Sequence, residues 1–418
     1  MNICIAGAGP GAFDLLTVEA RLEIKNADIV LASDHVLKTI SGLNHNIRIM
    51  SISETLQYID EHRRDDSNVC VVASGDTGFY SIAHTISRHV GEINDNNDVK
   101  KNSNKLYNTD SKIDIKLICG ISSMQYFAAR IRRTYSDMKF ISLHGKEGSI
   151  VPYVCYNRSV FSLTGGNIKA HDIICELIDA GLGNVFVNVG ENLSLPDEHI
   201  VSGTAYELRN EIFSDLAVVT VDNEQPADPS RRLSDEDFKR GNVPMTKFAI
   251  RSLALDMLEI KPHDICFDIG AGTGGMTCSM AMRAHDSFVY AIEKKKEACD
   301  LIRTNMTNLG TLNIKLKHGT APEDLDDFPA PTKVFIGGSS GSLSEIMGYI
   351  LSVNPRAVIL VTAVTMETVA ETFCILKSKG FSTETLCANI ANAQKVGSYH
   401  LMKAENPVYL IKGEKLEK

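Results

Sequence analysis

The sequence predicts an α/β protein of two domains, and three observations lead there. Two glycine-rich turns, IAGAGPGAFDLLT from Ile5 to Thr17 and FDIGAGTGG from Phe267 to Gly275, each follow an apolar run and open a helical one. Apolar runs alternate with helix-period stretches along most of the chain. The length, 418 residues, exceeds what one ordinary core organises.

In the first half, Asn2–Ala6, Ile29–Ala32, Val69–Ala73, Lys116–Cys119 and Phe140–Leu143 read as buried strands, with Val160–Leu163, Val185–Val189 and Ala217–Val221 to follow. Thr17–Asn26, Gly78–His89 and Ser123–Ile131 read as helices. The pattern implies a parallel sheet in the first part and a mixed one in the second. Between Glu92 and Lys112 the stretch is rich in Asn, Asp and Lys and offers little to bury, so it reads as a mobile surface insertion. A polar segment with two prolines, Asp222–Phe238, reads as the linker. The expected division is therefore 1–222, a linker at 223–234, and 235–418.

The second half opens with a helix around Lys247–Leu258. Strands are expected at Ile265–Ile269, Ser287–Ile292, Ile314–Lys317, Lys333–Ile336 and Ala357–Thr362. A closing hairpin is expected through Ser382–Ile390 and Tyr399–Ala404, with a last strand at Pro407–Ile411. No repeat relates the halves.

Composition narrows the function classes. Hydrophobic content of 44% and charged content of 23% fit a soluble globular protein. Apolar runs such as Ala357–Val364 are too short to span a bilayer, and the N-terminal residues lack a signal-peptide layout. Cytoplasm is the expected compartment, with no membrane partner. The ten cysteines show no zinc-ligand spacing and sit mostly in apolar runs, so they read as reduced core residues with no metal site. A net charge of −9 argues against a nucleic-acid partner.

The second turn carries the stronger chemical signal. Its D-x-G-x-G-x-G form sets Asp268 before Gly270, Gly272 and Gly274, and Glu293 ends the next strand. An acid there can accept hydrogen bonds from an adenosine ribose, a geometry shared by NAD and S-adenosylmethionine. An anionic Asp beside the loop suits the ligand without a pyrophosphate, S-adenosylmethionine, whose amino group it can contact.

The segments RGNVPMTKFAIRSLAL (Arg240–Leu255), FDIGAGTGG, VYAIEKK (Val289–Lys295), APEDL (Ala321–Leu325), VFIGGSSG (Val334–Gly341), AVTMET (Ala363–Thr368) and NPVYLI (Asn406–Ile411) occur in order. Together they resemble the decarboxylating precorrin C-15 methyltransferases of cobalamin biosynthesis. That resemblance implies a Rossmann-like class I methyltransferase fold and a cofactor site lined by Pro244–Thr246, the glycine loop, Glu293, Thr320, Ala321 and the Gly337 turn. Members of that family usually carry Asp where this chain has Thr320.

The first turn is different. Pro10 removes a backbone N–H that a pyrophosphate would need, which argues against NAD. The segments ASGDTGFYS (Ala73–Ser81), CGISSMQYFAARI (Cys119–Ile131), SLHGK (Ser142–Lys146), SLTGG (Ser162–Gly166) and VGENLSLPDEHIVSGTAYEL (Val189–Leu208) resemble the tetrapyrrole methylase family, in particular its precorrin C-5 methyltransferases. The resemblance implies a two-lobed fold in which Pro10, Asp76, Phe79, Ser122, Ser123 and Leu163 contact a second S-adenosylmethionine. Two departures are Thr77 where the family has Pro, and Cys119 where it has Pro before G-I-S-S.

The two resemblances together imply one cofactor site per domain, a reduced tetrapyrrole substrate bearing many carboxylates, and homo-oligomers. Meso carbons of such a substrate are enamine-like nucleophiles, so catalysis can rest on alignment and desolvation. No catalytic acid–base pair stands out. Candidate carboxylate contacts are His144 and Lys146 in the first domain, and Arg240, Lys247, Arg251 and Lys395 in the second. Lys247 and Arg251 are expected to share a helix face at i, i+4. Rival readings are a methyltransferase for RNA or protein, an NAD-dependent oxidoreductase, and a chain in which one domain has become a binding module.

Overall fold

The computed structural model describes residues 1–103, 112–145 and 147–415, without the side chains of 96–103. Two compact units emerge: 1–148, 161–173 and 186–221 form one, and 149–160, 174–185 and 222–418 the other.

The first half of the chain runs β1 (Asn2–Gly7), α1 (Val18–Asn26), β2 (Ile29–Ala32), α2 (Asp34–Ile40), β3 (Ile47–Ile49), α3 (Ile52–His62), β4 (Asn68–Ala73), α4 (Ile82–Ser103) and β5 (Asp114–Ile118). These strands form a five-stranded sheet in the order β3-β2-β4-β1-β5, parallel throughout. β2 and β4 are apolar on both faces because helices cover both, as parallel sheets require. α3 begins with a capping box in which Ser51 and Glu54 each satisfy the other's backbone N–H. The expected insertion at 92–112 is corrected over its first part. α4 runs through it to Ser103, and Ile86, Val90 and Ile93 form one buried stripe that carries the helix past Glu92. The rest of that segment, 104–111, lies outside the described residues.

Next come α5 (Ser123–Arg130), β6 (Lys139–Ser142), α6 (Val151–Tyr156), β7 (Ser159–Leu163), α7 (Ala170–Asp179), β8 (Phe186–Glu191), β9 (His199–Thr204), α8 (Ala205–Leu208) and β10 (Ala217–Asp222). Their strands make a second sheet, β6-β7-β10-β8-β9, with β8 and β9 antiparallel.

The remaining elements are α9 (Phe248–Leu258), β11 (Cys266–Ile269), α10 (Gly275–Arg283), β12 (Val289–Glu293), α11 (Lys296–Leu309), β13 (Ile314–His318), β14 (Lys333–Ile336), α12 (Leu343–Val353), β15 (Val358–Ala363), α13 (Met366–Ser378), β16 (Ser382–Ala388), β17 (Ala391–Val396), β18 (Tyr399–Ala404) and β19 (Val408–Glu414). Seven of the strands form the sheet β13-β12-β11-β14-β15-β19-β16. The first five are parallel, while β19 runs antiparallel between β15 and β16. Chain order reverses between β11 and β14, which opens a crevice at the carboxyl ends of the strands.

The expected closing hairpin is corrected. Ser382–Ala388 pairs with the last strand, and Tyr399–Ala404 pairs instead with Ala391–Val396. The cause is local: Gly397, at φ 62°, sits in the two-residue turn between Val396 and Tyr399 and closes a ribbon of its own. No helix among the described residues is long and apolar enough to cross a membrane.

Candidate functional site

The crevice between β11 and β14 deepens into a cavity of about 460 Å³, within the range of small-molecule sites. Its floor is the second glycine turn. Gly270 takes φ 74°, and a Cβ there would meet the Gly338 carbonyl at 2.6 Å, so only glycine lets the turns after β11 and β14 approach this closely. Gly272, at φ 58°, faces the Pro244 carbonyl. Gly274 lies behind the cavity against Ile302 and caps α10.

Glu293, at the end of β12, is buried and lines the cavity. The Gly272 N–H donates to its Oε2 and the Lys295 N–H to its Oε1, both at 2.9 Å. Each oxygen keeps lone-pair capacity for one further donor, the demand of a ribose diol. Thr246, Lys247, Gly270, Gly272, Glu293, Thr320, Ala321 and Gly337 all line this one cavity. The Thr320 backbone N–H is held by Asp324 Oδ2 at 2.8 Å, which shapes the rim beside β13.

Asp268 is fully buried below the turn. Thr277 Oγ1 donates to its Oδ2 at 2.5 Å, and its Oδ1 has no hydrogen-bond partner among the described residues. Burial pushes its carboxyl up to about 7, and the charge of Glu293 pushes the same way. An orphaned carboxylate oxygen under a glycine cradle, beside an acid with spare acceptors, fits a ligand with an amino group and a ribose. S-adenosylmethionine is such a ligand.

Three of the expected carboxylate contacts lie elsewhere. Arg251 is buried, with its guanidinium donating to Asp235 Oδ1 (2.6 Å), the Thr246 carbonyl (2.6 Å) and the Leu233 carbonyl (3.1 Å). It therefore does not share an exposed face with Lys247, as the spacing suggested. Lys247 is the N-cap of α9, and Arg251, one turn on, points into the segment before it. Arg240 is exposed and outside the cavity lining, and Lys395 sits on the exposed β17–β18 ribbon.

In the first unit, three glycine turns meet at the carboxyl ends of β1, β4 and β5. A Cβ on Gly120 would lie 2.3 Å from the Gly75 carbonyl, and one on Gly7 would lie 2.7 Å from the Gly120 nitrogen. Asp76 staples the junction, accepting from the Gly120 N–H (2.9 Å) and the Gly78 N–H (3.0 Å). Ser122 caps α5 through a capping box with Gln125, and Ser123 is the first residue of that helix. Phe79 and Leu163 pack against one apolar cluster, where Phe79 meets Phe140 edge-on at 5.8 Å. Pro10 follows the Gly9–Gly75 backbone bridge. His144 Nδ1 lies 3.0 Å from the Thr164 carbonyl, and Lys146 lies outside the described residues.

The sequence reading missed Lys294, Val364 and Glu405, which also line the second-unit cavity. Lys294 Nζ donates to Ser340 Oγ at 2.7 Å across its mouth. Val364 follows parallel β15 and Glu405 precedes antiparallel β19, so both reach the carboxyl edge of the sheet. Their position beside these strand ends was the available signal.

Residues 2–209 match the tetrapyrrole (corrin/porphyrin) methylases, and residues 237–415 match the precorrin methyltransferase domain. With the cradle and acid of the cavity, these matches define an S-adenosylmethionine-dependent C-methyltransferase. A probable cobalt-precorrin-6B C(15)-methyltransferase (decarboxylating) of Methanococcus vannielii is 32% identical over 184 residues, 44% of this chain and 99% of the relative. A protein of the same description from Saccharolobus solfataricus is 36% identical over 189 residues, 44% of this chain and 95% of the relative. The crystal structure of a precorrin-6y C5,15-methyltransferase from Geobacter metallireducens is 31% identical, covering 44% of this chain and 97% of that one, with a TM-score of 0.42. The chain belongs to the precorrin methyltransferase family, in its decarboxylating branch.

Proposed function

We propose that this chain is bifunctional. Its C-terminal half, a class I methyltransferase fold spanning 235–418, methylates C-15 of precorrin-6B or its cobalt complex and removes the carboxylate of the C-12 acetate. Its N-terminal half, 1–222, methylates C-5 from a second S-adenosylmethionine site built on Pro10, Asp76, Phe79, Ser122, Ser123 and Leu163. The protein works as a homo-oligomer in the cytoplasm, with neither nucleic acid nor membrane as partner.

The observation that carries the C-terminal half of this reading is Glu293. It is held by the Gly272 and Lys295 N–H groups at the lip of a cavity of ribose-and-amine chemistry. In that cavity Glu293 would take the ribose, the rim at Thr320 and Ala321 the adenine, and Asp268 the amino group by way of the turn. S-adenosylmethionine, when bound, supplies an electrophilic methyl group. What the chain adds is position: the glycine turn allows close approach, Ile250 and Met276 exclude water, and Lys247 offers a cation to a substrate carboxylate.

Gly272→Asp tests the division of labour. A side chain at φ 58°, aimed at a carbonyl 3.0 Å from its Cβ, strains the turn and places an anion beside Glu293. The full-length variant is expected to lose C-15 methylation and carbon dioxide release. It should keep C-5 methylation of substrate already processed at C-15. Equal loss of both activities in a folded variant would sink the assignment.

A further inference from the structure

Removing the C-12 acetate carboxylate requires a proton at the exocyclic carbon, and methylating C-15 releases one. A meso carbon bearing hydrogen gains a methyl cation and must lose H⁺. Carbon dioxide departs from the acetate, leaving its bonding pair in the conjugated ring, and the exocyclic carbon takes up H⁺ to become a methyl group. One proton leaves and one enters, at positions on the same pyrrole ring and its adjoining bridge, so a single base can serve both.

Two carboxylates line the cavity, Glu293 and Glu405. Glu293 has both oxygens engaged by backbone N–H groups. Glu405 is half-buried; its Oε1 accepts from Asn392 Nδ2 at 3.0 Å, and its Oε2 has no hydrogen bond or ion pair among the described residues. Strand order places it. If Glu293 takes the ribose as proposed above, with Glu293 on β12 and the Thr320 rim beyond β13, the nucleoside end would lie on that side of the reversal point and the other end would face β14, β15 and β19. On that far side the lining includes Thr362, Val364, Glu405 and Val408. The Thr362 hydroxyl is turned to the Ile336 carbonyl, and Val364 and Val408 are apolar. The other charged groups of the cavity are Lys247, Lys294 and Lys295, and Lys395, His400 and Lys403 lie on the adjoining ribbon.

We propose that Glu405 is the acid–base group of the C-15 reaction. Its carboxylate takes the proton from the methylated meso carbon and returns it to the exocyclic carbon as carbon dioxide leaves. Asn392 orients it. This rests on the C-15 reading above.

The test is Glu405→Gln in the full-length protein, followed by product mass on a precorrin carrying the C-12 acetate. Calorimetry with S-adenosylhomocysteine reports the integrity of the cavity. Expected is a rate loss of about 10²–10⁴-fold, with analogue affinity kept within about twofold. A rate within about threefold of wild type overturns the role of Glu405. Should Glu405→Gln lose analogue binding, Glu405→Asp, which keeps a carboxylate, is expected to recover binding and most of the rate; recovered binding without recovered rate overturns the role of Glu405. A wild-type protein that leaves this precorrin unmethylated at C-15 overturns the functional reading and, with it, this step.

Discussion

Asp268 shows how a single buried group links the cofactor site to stability. Its carboxyl is raised from 3.8 to about 7, first by burial and then by the charge of Glu293, so the folded chain holds this proton more tightly than the unfolded chain does. Stability therefore falls as pH rises between those two values, and stays at the lower level above them. Asn in its place keeps the shape and removes the charge. Unliganded Asp268→Asn is expected to show a flatter decline in melting temperature from pH 4 to pH 7, and at pH 8 to melt no lower than wild type. Affinity for S-adenosylhomocysteine should fall, because the glycine turn that would carry the ligand's amino group loses the buried charge beneath it. Parallel pH slopes for the two proteins would refute the linkage. Arg251 makes the contrasting point: it lies one turn from a cavity-lining lysine, yet its three hydrogen bonds organise the backbone that carries Thr246.

At the scale of elements, the first unit depends on three strand ends meeting through glycine. Gly120 and Gly75 separate two reasons for a glycine. Nothing lies within 4 Å of a Cβ on Gly75, but its φ is 69°. Gly75→Ala should thus cost only the left-handed strain, about 1–2 kcal/mol. Gly120 has no positive φ, but its Cβ would overlap the Gly75 carbonyl at 2.3 Å, against backbone that cannot swing aside. Gly120→Ala should destabilise the unit more than Gly75→Ala and part the turns that Asp76 staples. Thermal unfolding of the two variants decides, and an equal or reversed ranking would count against the packed junction. The same junction shows why sequence reveals some elements and hides others. G-A-G-P-G-A and G-A-G-T-G-G advertise strand-to-helix turns because backbone approach leaves a residue-type signature. The continuation of α4 was hidden, since its stripe through Ile86, Val90 and Ile93 enters a polar run that resembles a loop. Glu405 was hidden too. Only the antiparallel insertion of β19 beside β15 brings it to the cavity, and that pairing is set between distant segments.

At the scale of the whole molecule, the β17–β18 ribbon is the part that a single copy does not explain. Every residue of both strands is exposed, and an isolated two-stranded ribbon is marginal in water. Cross-strand register sets Val396 opposite Tyr399 and Gln394 opposite Leu401, so Val396, Tyr399 and Leu401 share one face. Their exposures, 50%, 74% and 58%, leave an apolar strip that soluble proteins rarely show to water. A homo-oligomer covers such a strip with the same strip of another copy, which is the self-complementary arrangement of a two-fold contact. Replacing Tyr399 and Leu401 together by Lys puts like charges on both sides of that contact and leaves the seven-stranded sheet untouched. The wild-type chain is expected to sediment as an oligomer, and the double variant as a smaller species at the same concentration. Cavity function, read by S-adenosylhomocysteine affinity, should stay near wild type. An unchanged mass for the variant would rule this strip out as a contact between copies, and a monomeric wild type would rule out the assembly itself.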